Sequence, residues 1–145
     1  MYFVDRNKIE DTLQHYNSEL LLFKQQSEWT TQIEKAALER VTHIMIEAIL
    51  DTGNAMIDGF IMRDPGSYDD IIDILEDEKV IEDTMSSGMK EFISYRKILV
   101  QDYINIDHQQ LLTITKNNLH ILEIFPVKIR NYLTNELGPV SAFKE

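Results

Sequence analysis

Cysteine is absent from the 145 residues. That excludes a disulfide framework and any thiolate metal site, and it suits a reducing cytoplasm. Chain breakers are scarce: five glycines and three prolines are few for the many turns of an all-β sandwich, and their scarcity favours helices. No unbroken apolar run exceeds four residues, as in Leu20–Phe23, whereas a membrane span needs roughly 18. Met1–Arg6 holds no basic leader followed by an apolar stretch, which predicts no signal peptide, no membrane association and a cytoplasmic location. The phosphate loops GxxxxGK(S/T) and GxGxxG and the G-x-S-x-G elbow are all missing, so nucleotide turnover and the commonest serine hydrolysis are not expected.

An excess of basic charge is lacking too. Asp and Glu number 25 against 14 Lys and Arg, a net charge of −11. Such a chain is repelled by phosphate backbones at long range, so any nucleic-acid contact has to use a local basic pocket. Nine acidic residues fall within Asp64–Asp83, a run read first as a solvated face.

What is present is helical periodicity. Length predicts one domain over 1–137, with a core large enough to need no staple, followed by a loose tail at 138–145. Asp5 is placed to cap a first helix reaching about Gln26, with Ile9, Leu13, Tyr16 and Leu20 on one face. Ser27 is expected to open a second helix, with Thr31 and Glu34 at capping-box spacing. Its apolar face, from Ile33 through Val41 and Ile49 to Met56, is broad enough to want neighbours on more than one side, and it ends before Gly59.

Ser67 caps a short third helix after the Pro65-Gly66 turn. A fourth segment is expected from about Glu78 to Val100, with a possible interruption at Gly88, and then a loop over Tyr103–Asp107. A last helix capped by Asp107 is expected to kink or split at Pro126, because proline lacks the N–H and clashes with the preceding turn. With no sustained period-two alternation, the fold class is all-α, an up-and-down helical bundle.

No two of His15, His43, His108 and His120 stand three or four apart. No metal or other cofactor is therefore expected, and each histidine reads as surface or structural. The stretch Tyr95-Arg96-Lys-Ile-Leu-Val-Gln101-Asp102-Tyr103 gathers polar side chains where a helix runs into a loop. Arg96 can present its fork to a phosphate, or it can pair with a nearby carboxylate while Tyr103 packs half-buried. Asp51 falls on the apolar stripe of the second helix, where a charge needs a partner. Either it orients Arg96 or it is solvated at the stripe's edge.

These residues resemble the HepT-like branch of the HEPN superfamily, marked by R-x4-H-x-Y with apolar residues after the arginine and Y-x-x-I-D at the end. The chain reads R-KILV-Q-D-Y-INID. Ile46–Asn54, the Pro-Gly-Ser-Tyr turn and the closing helix follow in the family's order, so the resemblance runs from about Asp5 to Leu133. It implies a bundle built on two long antiparallel helices that forms a homodimer. The motif residues of both copies would line a cleft that cleaves RNA without a metal, using the RNA 2′-hydroxyl as nucleophile.

The resemblance also implies that the chain is the toxin component of a toxin–antitoxin system, whose antitoxin, an MNT-type nucleotidyltransferase, silences it by placing AMP on the motif tyrosine. Carried over, Arg96 holds the scissile phosphate and Tyr103 is the AMP acceptor. The proton-transfer position holds Gln101 in place of histidine, and an amide takes no proton near neutral pH. Losing a general base costs about 10²–10⁴ in rate, so a weak or inactive nuclease is implied. Asp102 replaces the base only if burial raises its pKa. The alternative is a non-catalytic helical interaction protein that keeps the dimer fold.

Overall fold

The Asp5 carboxylate accepts the Lys8 N–H at 3.0 Å and starts α1 (Arg6–Gln25) in the computed structural model, which describes residues 2–138. Ile9, Leu13, Tyr16, Leu20 and Phe23 form its buried stripe. A connection over 26–31, with Trp29 stacked on Phe23 at 5.7 Å, leads into α2 (Gln32–Gly59). Thr31 rather than Ser27 opens that helix. Its hydroxyl accepts the Glu34 N–H at 3.1 Å, and the Glu34 carboxylate accepts the Thr31 N–H at 2.9 Å, a reciprocal box that satisfies two orphan donors at once.

The Phe3 N–H donates to the Gly59 carbonyl at 3.0 Å, which ties the start of α1 to the end of α2 and makes the pair antiparallel. Then come α3 (Tyr68–Asp77), α4 (Asp83–Gln101), a single 3-10 turn (Tyr103–Asn105), α5 (His108–Asn117) and α6 (Leu119–Leu137). Six α-helices and no strand occur among the described residues. The broad face of α2 meets α1, α3, α4 and α5, which is why it buries residues as far around the helix as Leu38, Ile46, Leu50 and Ile57. The apolar side chains of all six helices merge into one core. Except for Gly138, the tail expected at 138–145 lies outside the described residues.

Several helix ends differ from the sequence expectation, each for a local reason. Gly59 closes α2 but is not its left-handed cap. Ile61 takes that conformation (φ 57°), with the Met62 N–H returning to the Ile57 carbonyl at 2.9 Å. Gly59 is needed for space, since a Cβ there would stand 2.9 Å from Val4 Cγ2. The residues after Glu78 are not helical. Lys79 is left-handed (φ 62°), the Val80 N–H bonds the Leu75 carbonyl at 2.8 Å, and the Lys79 N–H bonds that of Glu76 at 2.9 Å. This is a Schellman motif whose apolar contact draws Val80 into the core.

Gly88 does not interrupt α4. A Cβ at this position would strike Asn118 Oδ1 and Ile121 Cδ1, so the glycine lets the α5–α6 corner close on α4. The closing helix breaks at Asn118, whose amide donates to Glu91 on α4 at 2.8 Å and to the Ile114 carbonyl at 2.9 Å.

Pro126 sits inside an unbroken α6. The carbonyl its missing N–H would have satisfied belongs to Leu122, and the buried Tyr16 hydroxyl donates to that oxygen at 2.6 Å. Burial, with Glu123 nearby, pushes the Tyr16 phenol well above its usual pKa, so it remains a proton-bearing donor.

Candidate functional site

Phe92 and Ile93 are buried and fix the rotation of α4. Arg96, about one turn further on, therefore faces α2 and α3 at the edge of the core. Its Nε–H donates to Glu47 Oε1 on α2 at 2.8 Å, and its guanidinium carbon lies 4.9 Å from the centroid of the Tyr68 ring, the first residue of α3. One edge and one face of the cation are thus fixed, while its Nη groups have no hydrogen-bond partner among the described residues. An arginine held by Nε keeps its two remaining nitrogens for a bidentate anion.

Beside it runs an open groove of about 560 Å³ lined by Tyr68, Asp69, Ser94, Arg96, Lys97 and Gln101. Arg96 and Lys97 make this a local basic spot on an acidic chain. The neighbouring acidic run is partly neutralised. Arg63 donates to both oxygens of Asp70, at 2.7 and 2.9 Å, and with the Gly66 N–H it lowers that carboxyl to about 2. Lys90 pairs with Asp73 at 2.5 Å. Among the described residues no three His, Asp or Glu side chains converge as a metal cage requires.

The sequence candidates are only partly brought together. Arg96 and Gln101 line one groove, Gln101 being the last, exposed residue of α4. Tyr103 is not half-buried packing: it is 66% exposed. Asp51 does not orient Arg96. It is exposed at the stripe's edge, and Glu47, one turn earlier, takes the role because it is the carboxylate on α2 that meets α4. Asp102 is not buried, as its role as a replacement base would need; it is exposed and accepts from the Asn105 amide at 3.0 Å.

Three participants escaped sequence reasoning: Glu47, Tyr68 and His43. The His43 Nε2 lies 3.1 Å from the same Glu47 Oε1 that holds Arg96. The available signal was the four-residue spacing of His43 and Glu47, which puts them on one helical face.

The "Ribonuclease HepT-like" family matches residues 13–129. The chain is 56% identical over 144 residues to the Bacillus subtilis (strain 168) protein called "Putative RNase YutE", covering 99% of this chain and 100% of that one. It is also similar to a solved structure described as "Structure of Cytosolic Protein of Unknown Function YutE from Bacillus subtilis". The TM-score is 0.95 at 55% identity, over 98% of this chain and 99% of the other. No helix among the described residues is long and apolar enough to cross a membrane.

Proposed function

The chain belongs to the Ribonuclease HepT-like family of the HEPN superfamily, and on that premise we propose that it is a toxin component that binds RNA and cleaves it weakly without a metal. The observation that carries this reading is the clamped guanidinium. Glu47 and Tyr68 hold Arg96 beside a groove it shares with Gln101, leaving its outer nitrogens for a phosphodiester. A preorganised donor of this kind stabilises charge that develops on phosphate oxygens in the transition state.

Cleavage is weak because Gln101 can hydrogen-bond but moves no proton. A second copy completes the cleft, and the exposed Val100 and Ile104 beside the motif are the apolar edge such a copy would cover. The protein works in the cytoplasm, which its lack of cysteine suits.

The test is incubation of purified protein with single-stranded RNA in EDTA. Slow cleavage by the wild type is expected, with Arg96→Ala slower by about 10²–10³, the usual cost of removing one transition-state donor. Cleavage unchanged in Arg96→Ala would remove the arginine from the chemistry. A second reading rests on Gln101 itself: a site that has lost its proton-transfer group fits a non-catalytic interaction protein. Absence of cleavage by every variant, Gln101→His included, would favour it.

Regulation is proposed at Tyr103, whose exposed ring is open to a modifying enzyme. Co-expression with an MNT-type nucleotidyltransferase is expected to add one AMP to the Tyr103 peptide, read by mass spectrometry, and none in Tyr103→Phe. An adenylylated peptide elsewhere in the chain would overturn this assignment.

A further inference from the structure

We propose that His43 is the general base of this site, doing from α2 the proton transfer that the motif position on α4 cannot do through Gln101. This rests on the ribonuclease reading above and goes beyond it by naming the group that moves the proton.

His43 Nε2 stands 3.1 Å from Glu47 Oε1. A carboxylate only accepts hydrogen bonds, so in a neutral ring the proton sits on Nε2 and the lone pair on Nδ1. Nδ1 has no hydrogen-bond partner among the described residues. The ring is partly open, with its side chain 29% exposed, and it lines a small groove with Ala36, Glu39, Arg40 and Leu99. Because the same Glu47 oxygen accepts from Arg96 Nε at 2.8 Å, one carboxylate orients both the phosphate-binding cation and the imidazole. That is the base-and-orienter pairing general-base catalysis requires; the ring and Arg96 line separate grooves, and Glu47 is the group that joins them.

The remaining charged groups around the ring are consistent with this assignment. On its own helix these are Glu39, Arg40 and Glu47. Arg96 approaches from α4, and His108 on α5 is engaged with Glu39 at 2.7 Å. His108 is therefore occupied, and His15 sits near Glu19, with its side chain 63% exposed. Of the histidines, His43 is the one that shares a hydrogen-bond partner with Arg96.

His43 Nδ1 takes the proton of the RNA 2′-hydroxyl as that oxygen bonds to phosphorus. The P–O5′ bond breaks, and the departing 5′-oxygen takes a proton from water. The imidazolium returns its proton to the hydroxide so formed. The products are a 2′,3′-cyclic phosphate end and a 5′-hydroxyl end. With one base and no second group to protonate the leaving oxygen, the site is slow.

The test compares wild type, His43→Gln, His43→Ala, Arg96→Ala and His120→Gln as full chains on single-stranded RNA in EDTA, across pH 5 to 9. His43→Gln is expected to lower the rate by about 10² and to abolish the acid-side fall of the pH–rate profile. Added imidazole is expected to restore part of the rate to His43→Ala. His120→Gln, an exposed histidine on α6, should match wild type, and circular dichroism should show all variants folded. Cleavage lost in Arg96→Ala but unchanged in rate and pH profile in His43→Gln would overturn this inference and leave the ribonuclease reading standing. No cleavage by wild type would overturn both.

Discussion

Replacing Gln101 with histidine is expected to raise RNA cleavage by about 10²–10⁴, the gain typical of a positioned proton-transfer group. Gln101 is exposed at the last residue of α4 and lines the groove that Arg96 enters. An imidazole there would meet the same bound phosphodiester and could protonate the leaving 5′-oxygen, the transfer the wild type leaves to water. The gain should appear in kcat, because it acts on charge and protons in the transition state, while KM should change little.

The product ends should stay the same, since the nucleophile is still the RNA 2′-hydroxyl. Combining Gln101→His with Arg96→Ala should erase the gain, because both groups act on one phosphodiester and their effects are not independent. A Gln101→His protein no faster than wild type, yet still dependent on Arg96, would mean that position 101 does not face the reacting atoms. The motif correspondence would then fail at that residue.

Removing the Tyr16 side chain is expected to be the most damaging change to the fold. Tyr16 is fully buried, packs against Phe125 at 5.9 Å between ring centroids, and gives its hydroxyl to Leu122. Tyr16→Ala should cost about 3–5 kcal/mol for the cavity alone. A further 1–3 kcal/mol or so should follow for a buried carbonyl left unsatisfied. Against a total stability of about 5–15 kcal/mol, that leaves a protein at the margin of folding, to be read from urea denaturation.

Tyr16→Phe keeps the ring and isolates the second cost. Introducing Pro126→Ala then supplies the N–H that Leu122 lacks, so the loss caused by Tyr16→Phe should shrink in that background. If the two substitutions proved additive, the tyrosine would not be serving the carbonyl that proline leaves free.

Much of the bundle was legible because helix periodicity and caps are local. The stripes of α1 and α2, the caps at Asp5, Ser67 and Asp107 and the box at Thr31 depend on residues within a few positions of one another. The motif Arg96–Tyr103 was legible for the same reason. Misreadings arose where a distant segment decides a local outcome. Pro126 reads as a break until Tyr16, from another helix, satisfies the freed carbonyl. Gly88 reads as a weakness until the α5–α6 corner occupies its missing side chain's space. Asp51 and Glu47 both lie on α2, and only the approach of α4 selects between them.

By itself, then, the sequence determined an all-helical chain with an arginine motif that carries glutamine at the histidine position, because helix formation and motif spacing are written in neighbouring residues. Only the tertiary structure decided which groups stand around that arginine. Packing α4 against α2 and α3 brings Glu47, His43 and Tyr68 to Arg96 from positions about 28 to 53 residues away. Such a meeting is set by how buried faces interlock, and spacing along the chain does not encode it.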